Sequence, residues 1–447
     1  MPRSSRITRR NALKIGAATA ALPLVHIRTA GAAGKLTVSF EDHWVPAGSA
    51  KTRQQVEAWA EKNKVDVTVD FITSVGNKIQ MTMAAEAQAG AGHDVMAFDM
   101  WNVQNHAAKL EPVDEVVNYL IGKYGEVSKG TRYLGMTDGH WMAVPTTNGH
   151  ALLVPCARIS LMKKLANIDV QAMYPAHQTP APEAANWTYD TFLKAAEACH
   201  KGGYPFGLGM GVMTDSVQTW GTIFAAFGAQ LVDAKGNITL DTDGVHAALE
   251  YAQKLIPFLP ADSVSYDDAS NNRALISGKS ALIWNPPSAW AVAKRDSPQV
   301  AADCWTFPNP AGPKGRFIPD RPYFWGVWAF SRNKTAGKEL IQYLLERPQV
   351  EARDIAVSGY DIPPYASMTD FPIWAEVEPP KGTVYNYPVR PWHGSTPWIA
   401  GDPAPQSIAV QIYNRGTMPG MAAKLSSGQS IKQVIAWAKD ELEGFTR

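Results

Sequence analysis

The sequence predicts an α/β protein of two domains. Two observations carry this. Between residues 35 and 99, short β-rich runs alternate with helical runs, the order that builds a mainly parallel sheet with helices on its faces. About four hundred residues then follow an N-terminal leader, more than one ordinary core organises.

The leader is residues 1–32. Arg3, Arg6, Arg9, Arg10 and Lys14 make a basic opening with no acid. Ile15 to Val25 is apolar but rich in small residues, and is far short of the roughly 20 residues of a membrane-spanning helix. Ala30-Gly31-Ala32 then supply small side chains before a polar start at Lys35, the layout of a signal peptide. Thr8-Arg9-Arg10-Asn11-Ala12-Leu13-Lys14 resembles the twin-arginine export motif, and Arg28 near the cleavage point suits that route. A periplasmic protein starting near Ala33 is expected. No cysteine follows the apolar stretch, so no lipid anchor is expected.

The whole chain has 42 basic and 41 acidic side chains. Without the leader's six basic residues the balance is 36 to 41, a net charge of −5. No basic stripe remains for nucleic acid. Cys156, Cys199 and Cys304 lie far apart, and burial as small apolar residues suits them. The ten histidines show no metal-ligand spacing, and "LDTDG" (240–244) lacks the later ligands of a calcium loop, so neither metal nor cofactor is expected.

The elements follow in order. "KLTVSF" (35–40) reads as a strand, and "TRQQVEAWAEKN" (52–63) has helical spacing at Val56, Trp59 and Ala60. "VDVTVDFI" (65–72) alternates as a second strand, "NKIQMTMAAEAQAGAG" (77–92) is a helix stopped by Gly, and "HDVMAFD" (93–99) is a buried third strand. "TYDTFLKAAEACHKGG" (188–203) and "TDGVHAALEYAQKLIPFL" (242–259) are amphipathic helices. "KSALIWNPPSAWAVAK" (279–294) is a strand running into a helix, and "YFWGVWAFS" (323–331) is an aromatic strand. Residues 336–359 return to helix. The stretch 371–405 is loop-rich but too aromatic for a disordered linker. "SIKQVIAWAKDELEGF" (430–445) closes the chain as an amphipathic helix.

Five segments, in order, resemble the extracellular solute-binding proteins of ABC importers, in the large sugar-binding family. "KLTVSFEDHW" resembles the opening strand and its ligand-facing loop. "AQAGAGHDVMAFDMWN" resembles the small-residue helix and the strand ending at the cleft. "NNRALISGKSALIWNPPSAW" resembles the family's short strand-and-tryptophan element, with Leu282 in place of the usual Met. The stretch from Tyr323 to Met368 resembles the strand, turn and paired helices before a Gly-to-Pro segment. "LSSGQSIKQVIAWAKDELEG" resembles the closing helix.

The resemblance implies a two-lobed periplasmic-binding-protein-like fold, each lobe a mainly parallel sheet flanked by helices. The hinge is crossed three times, near Ala151, Arg321 and Met368. The first lobe is then 34–151 with 322–368, and the second 152–321 with 369–447. It also implies a monomer that captures a sugar, oligosaccharide or polyol and delivers it to ABC permease subunits in the membrane. Lobes of this kind close by hinge motion, favoured by a ligand that touches both.

A sugar site needs aromatic planes for C–H faces and polar groups for hydroxyls. Residues just past strand ends are the candidates, since ligands sit at the carboxyl ends of such strands. These are His43 and Trp44 after the first strand, Trp101 and Asn102 after the third, and Asn148 in "VPTTNGH". Asp215 and Trp220 lie in "MTDSVQTWG", where the resembled family places an acid and an aromatic. Trp284 and Asn285 end the strand in "IWNPP", Trp325 lies on the aromatic strand, and Tyr360 lies in "SGYDIPP". An aromatic at a strand end also suits core packing, and Asp215 also suits a turn cap. Many relatives carry an acid near Asn148; its absence argues against a strongly cationic ligand.

Two rival ligands stay open: a glycerol phosphodiester, for which only Arg316, Arg321 and Arg390 are available, and a small cationic solute in an aromatic cage. A secreted carbohydrate-active hydrolase is the alternative of another class. It needs two carboxylates flanking one bond, and no segment presents such a pair at a strand end; Asp267-Asp268 reads as a loop. The serine-hydrolase G-x-S-x-G is absent.

Overall fold

The computed structural model describes residues 35–147, 153–176, 178–285, 288–378, 380–381 and 395–445. The leader, Asn148, the crossing near Ala151 and Arg390 lie outside the described residues.

The first sheet is built as its sequence alternation suggests. Strand β1 (Lys35–Glu41), helix α1 (Pro46–Asn63), β2 (Asp66–Ile72), α2 (Lys78–Ala89) and β3 (Val95–Asp99) follow in turn. Leu36, Val38 and Phe40 of β1 point to one face and are buried, while β3 is buried along its whole length because helices cover both of its faces. Helix α1 buries Gln55, Val56 and Trp59 on one stripe. Helix α2 stops at Gly90, whose φ of 62° is the left-handed conformation glycine adopts without strain.

β1 pairs in parallel with both β2 and β3. A short strand β4 (Val144–Thr146) closes the far edge. The chain then leaves for a second sheet, whose centre is β5 (Val154–Arg158). Helices α3 (Tyr189–Lys201), α4 (Thr214–Phe227), α5 (Asp243–Leu255) and α6 (Ser270–Ile276) follow. Strand β6 (Leu282–Asn285), helix α7 (Ser288–Asp296) and strand β7 (Cys304–Thr306) complete that sheet in the order β6-β5-β7. After strand β8 (Gly315–Pro319) the chain returns to the first sheet as β9 (Tyr323–Val327), giving the order β2-β1-β3-β9-β4.

Most strands of each sheet run in one direction, as expected, and one strand in each runs against them. β9 runs antiparallel to β3 and β4, and β5 runs antiparallel to both its neighbours. The reason is the direction of entry. Tyr323 at the start of β9 faces Asp99 at the end of β3, and Val154 at the start of β5 faces Asn285 at the end of β6. A strand that enters a sheet from the end where the other strands finish must run the opposite way.

After β9, helix α8 (Lys334–Leu344) packs on the first sheet and on α1, and helix α9 (Arg347–Ala356) packs on α1. In the loop-rich stretch, Phe371 and Trp374 stack at 5.2 Å and are buried, and strand β10 (Thr396–Trp398) pairs in parallel with β8. Trp398 lies against Gly221 of α4, where any Cβ would fall 1.9 Å from the indole. Helices α10 (Thr417–Ser426) and α11 (Ile431–Glu443) end the chain, α10 packing on α4 and α5.

All three cysteines are buried, and the hydrogen bond with Cys304, together with burial, pushes the Cys156 thiol up. Among the described residues, no helix is long and apolar enough to cross a membrane, and no group of three or more acids, histidines or cysteines is placed to hold a metal ion.

Candidate functional site

The ends of β1 and β3 and the start of β9 converge on two adjoining cavities, which share Glu41, Trp44 and Tyr323. This is the carboxyl end of the parallel strands, where open α/β sheets bind ligands.

The first chamber has an aromatic wall. Trp325 of β9 is 7 % exposed, its ring centroid 4.9 Å from that of Phe40. The Arg353 guanidinium, from α9, lies 5.5 Å from the Trp325 ring centre, a cation–π distance. Arg353 donates to Gln55 Oε1 at 2.9 Å and to the Leu344 carbonyl at 2.7 Å. Burial pulls its pKa down to about 10, against the opposing pull of Asp361 and Asp354. It stays charged at neutral pH and fixes the position of the wall.

His43 closes the same chamber. Its Nε2 is 3.1 Å from Asp361 Oδ1, and its Nδ1 is 2.9 Å from the Val45 carbonyl. Burial alone would lower its pKa, but the charge and hydrogen bond of Asp361 outweigh burial, and the pKa is raised. The edge of the ring meets Tyr360 at 5.3 Å, and Gly48 lets the ring sit on the first turn of α1, where a Cβ would lie 2.5 Å from it.

The second chamber is acidic. Glu41, Asp99, Asp215 and Asp268 line it, with Arg321 as the one cation among its described lining residues. Arg321 Nη1 donates to Asp215 Oδ1 at 3.0 Å, with the two side chains 2 % and 8 % exposed. Asp215 Oδ2 also accepts from Asn271 at 3.0 Å and from Asn285 at 3.3 Å. Asp99 is held by the Asn102 amide. Burial raises Glu41 to about 7, partly offset by its hydrogen bond to Ser74 and reinforced by the charge of Asp99. Burial and the charge of Asp215 likewise raise Asp268 to about 7. Buried polar atoms here without a hydrogen-bond partner include Gln80 Oε1, Asp268 Oδ1, Asn272 Oδ1 and Arg321 Nε.

The structure therefore brings His43, Trp44, Asp215, Asn285, Trp325 and Tyr360 to the cavities. Asn102 holds Asp99 and lines a neighbouring cavity with Thr214 and Tyr413. It does not bring Trp101, Trp220 or Trp284 there. β3 ends at Asp99, so Asp99 takes the cleft position and Trp101 turns inward, its indole N–H on the Ala400 carbonyl at 3.1 Å. Asp215 and Trp220 are both on α4. Five residues span about 500° of helix, so when Asp215 faces the cleft Trp220 faces elsewhere; it is fully buried and donates to the Gly209 carbonyl at 2.9 Å. Trp284 and Asn285 are neighbours on a strand and point to opposite faces. Trp284 packs behind the sheet on Phe192 at 5.4 Å, and Asn285 takes the cleft side.

The charged members Glu41, Asp99, Asp268, Arg353 and Asp361 were not singled out from sequence. Glu41 and Asp99 end their strands, a signal available in the same alternation. Asp268, read as a loop acid, folds back over the chamber. The acids come from β1, β3, α4 and the segment before α6, so the missing acid near Asn148 does not leave the cleft without negative charge.

A family model described as bacterial extracellular solute-binding protein matches residues 44–351. No curated protein sequence matches the chain. Among solved structures, the maltose-bound MalE3 of T. maritima is 19 % identical with a TM-score of 0.71, covering 92 % of this chain and 99 % of its own. A sugar transporter protein from Arthrobacter chlorophenolicus with bound laminaribiose is 15 % identical with a TM-score of 0.71, over 92 % and 99 % of the two chains. An ABC transporter solute-binding protein of Thermotoga lettingae with bound α-D-tagatose is 14 % identical with a TM-score of 0.69, again over 92 % and 99 %. At these identities the likeness establishes the fold, the two-lobed architecture of periplasmic binding proteins.

Proposed function

This chain belongs to the bacterial extracellular solute-binding proteins, and from that premise we propose that it is the substrate-binding component of an ABC transporter. It captures a sugar, oligosaccharide or polyol between its lobes and delivers it to a membrane permease. The observation that carries this reading is the first chamber. A rigid indole wall, Trp325, faces inward under a fixed guanidinium, with His43, Tyr360 and Asp361 around it. An aromatic face covers the C–H surface of a sugar ring, and the surrounding donors and acceptors meet its hydroxyls.

The lobes we assign are 34–151 with 322–368, and 152–321 with 369–447, in support of which β9 returns to the first sheet. We assign export to the twin-arginine route and action to the periplasm as a monomer. The role is capture rather than catalysis: Asp215, a buried acid of the second chamber, is held by Arg321 and two asparagines, which suits positioning more than proton transfer. A phosphodiester ligand is less well served. Arg321 is engaged with Asp215, and Arg316 donates to the backbone carbonyls of Asn309 and Ala184.

A thermal-shift screen of the exported chain against sugars, polyols, amines and glycerol phosphates tests this. A sugar or polyol at 100 times its dissociation constant should add about 2.7 kcal/mol of stability. Stabilisation by glycerol phosphates alone would contradict the saccharide reading.

A further inference from the structure

Resting on the saccharide reading of this site, we infer that the captured sugar carries a protonated amine, seated in the second chamber against Glu41, Asp99 and Asp268, with its ring on Trp325 in the first. The charge count leads there. Four carboxyl groups line the second chamber and one guanidinium answers them, a surplus of three acids over cations. Its Nη1 is committed to Asp215, while its Nε is left for a ligand oxygen. Burying carboxylates without a compensating cation is costly, and the usual relief is protonation. Glu41 and Asp268 show that strain directly, both raised to about 7.

The hydrogen-bond inventory points the same way. Asn272 is 4 % exposed, and its Oδ1 has no donor; Asp268 Oδ1 has none either. An ammonium brings three donors and a positive charge, whereas each hydroxyl brings one donor and no charge. The first chamber is better balanced. Arg353 and His43, whose pKa Asp361 raises, stand there against Asp361 and the shared Glu41, so the second chamber has the larger surplus of acids.

The proton count gives a signature. The groups facing Glu41 are His43, Ser74, Asp99 and Tyr323. Those facing Asp268 are Asp99, Asp215, Arg321 and Tyr413. An ammonium beside these carboxylates favours their ionised forms, so their pKa values fall on binding and protons are released, about one in total near pH 7. Affinity for the amine-bearing sugar should therefore rise between pH 5.5 and 7.5.

The test is calorimetric titration of the exported chain with matched pairs: glucosamine and glucose, galactosamine and galactose, and the deacetylated chitin disaccharide and cellobiose. At least one amine member should bind about tenfold or more tightly than its neutral partner, with proton release seen as a difference between two buffers of unlike ionisation enthalpy. Asp268→Asn should lose most of that discrimination while melting like the parent without ligand. Equal or tighter binding of the neutral members overturns the amine and leaves the saccharide reading standing. Binding of putrescine or choline with none of the sugars keeps the cation and overturns the saccharide. No binding by any of these probes overturns the inference.

Discussion

Arg321, in the segment that leads into β9 of the first sheet, donates to Asp215 in the first turn of α4, 106 residues earlier in the chain. Both side chains are almost wholly buried, and three further carboxylates lie around them. The pair links the returning strand to the helical part that follows the second sheet's first strand. Arg321→Met should cost about 3–5 kcal/mol, because it leaves buried carboxylates uncompensated. The sign with pH follows. Without the cation, the folded-state pKa values of these acids stand above their unfolded values, so the folded form binds more protons and rising pH destabilises it. The melting-temperature gap between parent and variant should widen from pH 5.5 to pH 8. A gap independent of pH would show that lost packing, not charge, is responsible.

Trp325→Ala should weaken ligand binding by about 2–4 kcal/mol, roughly 30- to 1,000-fold in affinity. Trp325→Phe keeps an aromatic plane and should lose less. The ring also packs on Phe40, so the alanine form will melt lower as well. Calorimetry on both variants separates the effects. If the alanine form melts lower but binds normally, Trp325 is a core residue only.

A second pH effect lies away from the cleft. His93 Nδ1 is 2.5 Å from Glu86 Oε1, and its Nε2 is 3.1 Å from Asp70 Oδ2, so one imidazole ties α2, β2 and the segment before β3. The Glu86 hydrogen bond raises its pKa, against burial and with help from Asp70. A raised histidine pKa gives stability that is fully present below the unfolded value of about 6.5 and is lost as pH rises through the folded value. His93→Gln should therefore cost about 1–2 kcal/mol at pH 6 and progressively less above the folded pKa. Denaturant titrations across pH 5.5–9 read this directly; a constant difference would contradict it.

Export offers an independent check. Replacing Arg9 and Arg10 by lysines should leave the precursor in the cytoplasm, detected by fractionation. Normal export of the Lys-Lys form would remove the twin-arginine route and leave the binding function untouched.

Much of the first sheet was legible because its signals are local. The alternation of 65–72, the apolar spacing of 56–60 and the glycine after α2 each describe one element without its neighbours. Helix α4 was not legible. Eleven of its residues are buried, so it carries no polar face to set a period. Asp215 and Trp220 in "MTDSVQTWG" were therefore both named as candidates, and the helix turns them apart. At the site, strand ends do lead to the cavities, but one-residue differences in where a strand stops decide which neighbour lines them. At β3 the cavity position falls to Asp99 rather than Trp101, and of the two candidates at the end of β6 Asn285 lines the cavity while Trp284 packs behind the sheet. The Arg353 to Asp361 segment meets His43 across more than 300 residues, and no local pattern records such a contact.

The most direct measurement of capture between two lobes is a distance across the cleft mouth. Met81 on α2 is 65 % exposed and Val212 before α4 is 62 % exposed, each on the side of a different sheet. Spin labels at Met81→Cys and Val212→Cys, with the three native cysteines buried, report that separation by pulsed electron resonance. Saturation with the solute found by calorimetry should shift the distance distribution to shorter values and narrow it. An identical distribution with and without bound solute would contradict capture by lobe closure.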